Sequence, residues 1–237
     1  MTDREDPNRL PTILVIGFPK SGTSTLQRAF TASGLTSAHW TWNGNAIGRL
    51  IYDGWFDKGD PLALLTGLDA VTQMDFCHPE SGRNYWPNLD ISLLLVIRRL
   101  HPGVKLIFNA RPYDATVDSF ARWQGWGALV ERVTRADIPG LPAGRGDRHE
   151  DLTRWIEAHH AAIRDIFDYD PNFLDLDITA PDARQRLSSF IGRPLAWWGV
   201  ENANPAPGED EEPDEEVEKR EAGNSTPEAS AGGPRSD

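Results

Sequence analysis

Four consecutive aliphatic residues, Ile13-Leu14-Val15-Ile16, lead directly into a glycine-containing loop and then into a segment with helical spacing. A continuous apolar run of this length is what a strand covered on both faces requires. From Thr23 to Ser33 the apolar residues Leu26, Ala29 and Phe30 fall on one helical face. A buried strand joined through a tight loop to a helix restricts the fold to the α/β class.

The same rhythm returns further on. Ala70 to Asp75 and Lys105 to Asn109 read as strands. Asp90 is placed to cap a helix with Leu93, Leu94, Ile97 and Leu100 on one stripe, and Asp114 to cap a helix through Val117 and Phe120 to about Trp123. Leu152, Trp155, Ile156, His159, Ile163, Ile166 and Phe167 keep helical spacing. A strand over Phe173 to Ile178 follows, and Pro181-Asp182 opens a last helix that Gly192 stops. Alternating strands and helices predict a mainly parallel central sheet flanked by helices. Residues 43–68 read as loosely helical, and 125–149, with their glycines and prolines, as an irregular excursion.

Charge divides the chain. Pro205 to Asp237 carries 11 acidic and 3 basic residues and no aromatic side chain, so most of the net charge of −12 sits there. Such a stretch cannot bury enough apolar surface to offset the entropy of ordering it, and reads as a disordered acidic tether. The expected organisation is a flexible N-terminus over 1–11, an α/β domain over 12–204 and the tail over 205–237. The acidic balance argues against a nucleic-acid binder, which needs a broad basic face. The only cysteine is Cys77, the start is charged, and the longest apolar run is too short to span a bilayer. A cytoplasmic protein without a membrane span is therefore expected.

The loop Gly17-Phe18-Pro19-Lys20-Ser21-Gly22-Thr23-Ser24 sits where backbone N–H groups and a helix N-terminus converge on an anion. A Walker A loop places lysine directly after its last glycine. Here Thr23 follows Gly22, and Lys20 lies two residues before it, at the crown. A cation there suits one phosphate followed by a single sulfuryl group better than a triphosphate with its magnesium. Further on, Arg111 leaves a strand end and Ser119 follows eight residues later in the next helix. An arginine fork at the C-terminal edge of an open α/β sheet suits a terminal phosphate.

Pro19-Lys20-Ser21-Gly22-Thr23-Ser24 together with Arg111-x7-Ser119 resembles the donor site of sulfotransferases that use 3′-phosphoadenosine-5′-phosphosulfate (PAPS). The resemblance spans roughly residues 12–204. Trp155, His159, Phe173-Leu174-Asp175-Leu176-Asp177 and Trp197-Trp198-Gly199 look like the bacterial members of that family. It implies a P-loop NTPase-like three-layer fold, PAPS as co-substrate without a metal, and a small-molecule or glycan acceptor bearing a hydroxyl or amine. It assigns the 5′-phosphosulfate to the loop, the 3′-phosphate to Arg111 and Ser119, and the leaving oxygen to Lys20. The late Arg-Lys-Gly segment of cytosolic members is missing, with Arg145 or Arg193 as the candidate substitute.

Three residues compete as general base. His78 follows a strand, His39 follows the first helix, and Asp75 ends the strand before His78. Trp40, Trp42 and Trp86 flank these positions as candidate acceptor contacts, and His159 reads as a core histidine. Two other functions fit the same loop: a small-molecule kinase using ATP and magnesium, with Asp75 as its metal-side acid, and a bisphosphoadenosine-binding protein that has lost its base.

Overall fold

In the computed structural model, which describes residues 6–123 and 128–201, the aliphatic run becomes β1 (Ile13–Val15), completely buried at the centre of the sheet. Its side chains alternate between the two faces, as a strand's must. Ile13 and Val15 meet one helical layer, while Leu14 and Ile16 meet the other.

The chain continues through α1 (Thr23–Ala32), β2 (Ser37–His39), β3 (Thr41–Trp42), β4 (Asn45–Ala46), α2 (Ile47–Lys58) and β5 (Ala70–Gln73). A hairpin follows, β6 (Phe76–His78) with β7 (Arg83–Tyr85), and then α3 (Ile91–Leu100) and β8 (Lys105–Phe108). The remaining elements are α4 (Tyr113–Arg122), α5 (Leu129–Arg135), α6 (His149–Phe167), β9 (Phe173–Asp175) and α7 (Ala183–Ile191).

Five parallel strands, in the order β2-β5-β1-β8-β9, form the centre, and β3 and β4 extend one edge antiparallel. Leu14 pairs with Val71 on one side and with Leu106 on the other. Leu26, Ala29 and Phe30 of α1 pack with Ala183 and Leu187 of α7 on one face. Ile47 and Ile51 of α2, Leu93 and Ile97 of α3, and Ile163 and Phe167 of α6 cover the other. A further core lies beyond the C-terminal ends of the strands, where Phe18 and Trp86 meet Phe120, Val133, Trp155 and Ile156 of α4, α5 and α6. The architecture is thus α/β, with a five-stranded parallel sheet between helical layers. Among the described residues no helix is long and apolar enough to cross a membrane.

Several local expectations need correction. Leu100 is 42% exposed, because α3 is ending there and its stripe no longer faces the sheet. Asp114 lies in the first turn of α4, and Pro112 takes the N-cap position. On α6 the face toward the core holds His160 (4% exposed), whereas Ile166 points to solvent. Residues 43–68 include the β4 strand as well as α2, and the segment expected to be irregular contains α5. Arg9, expected in a flexible N-terminus, is tied down by an ion pair to Asp69 (3.0 Å) and a bond to Thr36 Oγ1 (3.1 Å). The acidic tail, residues 205–237, lies outside the described residues.

Candidate functional site

The connection from β1 through α1 to β2 runs toward one edge of the sheet, and that from β8 to β9 runs toward the other. Between β1 and β8 the topology therefore switches, and open α/β sheets bind ligands at such points. The loop from Gly17 to Gly22 lies there. Gly22 sits at the N-cap of α1 with φ +95°, and no side chain caps the helix. The left-handed backbone favours glycine here, and a Cβ would also have to push aside the tip of the Ile178 side chain, whose Cδ1 would lie 1.9 Å away. Among the described residues no acceptor takes the N–H groups of Ser21, Gly22 or Thr23. These donors and the positive end of α1 form a cradle of the kind that can hold an anion.

Buried amides hold the loop's shape. Asn109 (1% exposed) follows β8, accepts the Gly17 N–H at 2.9 Å, and donates to Ser21 O at 3.2 Å and Ser21 Oγ at 2.5 Å. Asn88, fully buried, donates to Gly17 O at 3.0 Å. A Cβ on Gly17 would stand 2.2 Å from Asn109 Oδ1, so the glycine makes room for the clamp. Asn109→Leu strands at least two buried backbone groups. It should cost about 3 kcal/mol and lower the melting temperature by roughly 6–12 °C. A change below about 2 °C in thermal unfolding would show that the loop does not depend on this side chain.

Lys20 adopts φ +63°, a left-handed conformation that lysine rarely takes. Its carbonyl accepts a bond from Arg111 Nη1 at 3.2 Å, and its Nζ lies 5.5 Å from the centre of the Trp123 ring. The Arg132 guanidinium lies 4.7 Å from the same ring and donates to Cys77 O at 2.9 Å. One indole thus gathers two cations beside the cradle. Arg111 Nε is buried and has no hydrogen-bond partner, so part of its fork remains unsatisfied. Ser119 is buried on the inner face of α4 with Thr116, Val117 and Phe120. Trp123 and Arg132 do not stand out in the sequence, because nothing local ties an α5 arginine to a loop more than 100 residues earlier.

A polar line runs from the cradle into the core. Thr23 Oγ1 donates to Gln73 Oε1 at 3.0 Å, and Gln73 Nε2 donates to Asp75 Oδ2 at 3.0 Å. Asp75 is 5% exposed and its Oδ1 has no hydrogen-bond partner. Burial pushes its pKa up to about 7, against the lowering effects of the Gln73 bond and of Arg132 nearby. Burial likewise pushes the Cys77 thiol up to about 12 and lowers the pKa of Arg132.

The other candidates separate. His39 Nδ1 is paired with Thr72 Oγ1 at 3.0 Å, and Thr72 in turn donates to Gln27. Burial lowers the His39 pKa to about 4, so it is a weak base. With Ser24 it lines a cavity of about 480 Å³ beside α1. His78 sits on the β6 hairpin strand opposite Arg83, its Nδ1 buried without a partner. His159 contacts Phe18 edge-on at 5.3 Å and is lowered to about 4 by burial.

Of the tryptophans, Trp86 is 2% exposed inside the core and presents no free face to a ligand. Trp42, half-buried, packs against the core that holds Ile47 and Ile51. Trp40 stacks on Phe76 at 5.5 Å. Arg193 donates to Ser33 O (3.0 Å), at the end of α1 opposite the cradle. A ten-residue helix, about 15 Å, separates it from the loop, too far to share a ligand held there. Arg145 lines a different cavity. Comparison with protein-family models and with curated proteins gave no match.

Proposed function

We propose that the chain is a PAPS-dependent sulfotransferase with a P-loop NTPase-like fold. The observation that carries this reading is the uncapped N-terminus of α1, with Lys20 at the crown of its loop and Arg111 joined to the Lys20 carbonyl across the switch point. The N–H groups of Ser21, Gly22 and Thr23 would hold the 5′-phosphate, and Arg111 the 3′-phosphate together with Ser119.

In the reaction an acceptor oxygen attacks sulfur in line with the bridging S–O bond. That bond breaks, its electron pair stays on the 5′-phosphate, and 3′,5′-bisphosphoadenosine leaves. Lys20 neutralises the charge developing on the bridging oxygen, the kind of preorganised electrostatics that dominates group transfer. The acceptor's proton passes to His78 in this reading. His39 is set aside by its bond to Thr72 and its lowered pKa. Asp75 is the competing base, and His78→Gln and Asp75→Asn separate the two by which substitution removes the rising limb of the pH–rate profile.

At about 100-fold excess over its dissociation constant, bisphosphoadenosine should stabilise the protein by about 2.7 kcal/mol, or roughly 5–10 °C. No change in melting temperature at saturation would sink the donor assignment. A larger stabilisation with ATP and magnesium would replace it with the kinase reading, in which Asp75 serves the metal side.

A further inference from the structure

The loop, Lys20 and Arg111 leave unexplained a cavity of about 800 Å³ at the same end of the sheet. Its walls come from the start of α3 (Leu89, Asp90, Ser92), the turn from Pro139 to Arg145, and one face of α6. Its volume falls within the range that holds small molecules.

The charges in this cavity are unevenly satisfied. Asp90 accepts the Leu93 N–H at 3.1 Å and the Tyr52 hydroxyl at 3.5 Å. Asp151 is bonded to Arg148 at 2.7 Å. Both carboxylates are therefore occupied. Arg145 and Arg154 line the same space, and neither forms an ion pair among the described residues. The Arg148 bond is the main cause of the lowered pKa of Asp151, and Arg145 lies close enough to add to it without bonding the carboxylate.

The floor adds a second kind of unmet demand. His159 lines the cavity, and its Nε2 is buried with no hydrogen-bond partner. Buried polar atoms are rarely left so unless something else satisfies them. Leu89, Leu141 and Trp155 supply apolar wall, and the Trp155 N–H is taken up by Pro139 O at 2.8 Å, so it makes no polar demand on the cavity. Trp155 and His159 both meet Phe18 edge-on, at 4.8 and 5.3 Å. Phe18, a residue of the loop itself, thus backs the two aromatic rings of this cavity.

We propose that this cavity binds an acidic amphipathic small molecule, its apolar body against Trp155, Leu89 and Leu141 and its anionic head between Arg145 and Arg154. An arginine pair favours a carboxylate or phosphate through charge-assisted forks, and the apolar wall excludes a bare inorganic anion as the best ligand. The site is separate from the donor cradle and does not depend on what the cradle holds.

Titration calorimetry on the full chain with 4-phenylbutyrate and its uncharged analogue 4-phenylbutan-1-ol tests this. The acid should bind about tenfold tighter than the alcohol. The double substitution Arg145→Ala and Arg154→Ala should weaken the acid by at least that factor and leave the alcohol unchanged. Both arginines are exposed, so the fold should tolerate their loss. Ala158→Trp, also at an exposed position lining the cavity, should block both ligands. Equal binding of acid and alcohol, binding unaffected by all three substitutions, no heat at millimolar ligand, or displacement of the acid by saturating bisphosphoadenosine would each overturn the proposal. The last result would move the acid into the donor cradle, while absence of bisphosphoadenosine binding bears only on the sulfotransferase reading.

Discussion

On the proposed sulfotransferase reading, Lys20→Gly is expected to lower sulfuryl transfer by about 100- to 1000-fold while moving the melting temperature by no more than about 3 °C. The two halves have different causes. Removing the ammonium takes away the charge proposed to meet the leaving oxygen, and single preorganised groups of this kind carry effects of that size. The backbone at residue 20 is left-handed, with φ +63°, which costs an L-residue about 1–2 kcal/mol and glycine almost nothing. Glycine's extra freedom in the unfolded chain takes back about 0.5–1 kcal/mol. The lost contact of Nζ with the Trp123 ring costs a further fraction of a kilocalorie to about 1 kcal/mol. These contributions nearly cancel. A strained lysine that glycine could replace without loss of stability is held there for its charge. Turnover retained by Lys20→Gly would remove Lys20 from the chemistry. A melting temperature lower by about 6 °C or more would make it a structural residue instead.

The segments that show clearly in the sequence are those whose pattern is local and repeated. The β1 run, the α1 face with Leu26, Ala29 and Phe30, the Asp90 cap and the Gly192 stop all depend on neighbours within a turn or two, and they stand in the structure as expected. The short strands β2, β3 and β4 do not, because two or three residues such as Ser37-Ala38-His39 are too few to show an alternation. One further signal is present in the sequence. Asn43-Gly44 joins β3 to β4 with φ values of 50° and 76°, the two-residue turn that Asn-Gly favours in hairpins. The same limit explains α6. Both His159 and His160 fit a loose apolar stripe, and the packing of the fold, with Phe108 nearer to His160 (4.9 Å) than to His159 (6.5 Å), leaves His160 with the smaller exposure.

The site divides in the same way. The loop and Arg111 are visible as motifs because each is contiguous or regularly spaced. The residues that give the loop its shape are not. Asn109 ends an ordinary strand, and its importance appears only where β8 lies beside β1 and its amide meets Gly17 and Ser21. Gln73 is similar, since it joins Thr23 to Asp75 only because β5 flanks β1 on the other side. Contacts between neighbouring parallel strands join residues roughly 50 to 90 positions apart, and no pattern along the chain encodes them.

Asp75 provides the second large effect. In the unfolded chain its carboxyl titrates near 3.8, and in the fold near 7. Between these values the folded state keeps a proton that the unfolded state has released, so stability from this group falls as pH rises from about 4 to 7 and stays lost above that. The full difference amounts to about 2–4 kcal/mol, since a pKa difference of one is worth about 1.4 kcal/mol and relaxation of the site takes back a part. Asparagine cannot ionise, and its carbonyl can still accept from Gln73. Part of the parent's loss is already complete by pH 5, so relative to the parent Asp75→Asn should gain about 1–3 kcal/mol on going from about pH 5 to about pH 8.5, or roughly 2–12 °C in melting temperature. His39, His159 and His160, all lowered to about 4 by burial, work in the opposite direction. They destabilise the fold as pH falls from about 6.5 toward 4, and they do so equally in parent and variant, so they cancel from the comparison. A difference between the two proteins that stays constant with pH would mean that the carboxyl is not held protonated. A difference that grows as predicted leaves a group that weakens the fold at neutral pH, wired through Gln73 to the hydroxyl of Thr23 and within the field of Arg132. A carboxyl that weakens the fold in that position is what the proposed function calls for, since a titrating group kept beside a ligand cradle is explained by use there rather than by holding the fold together.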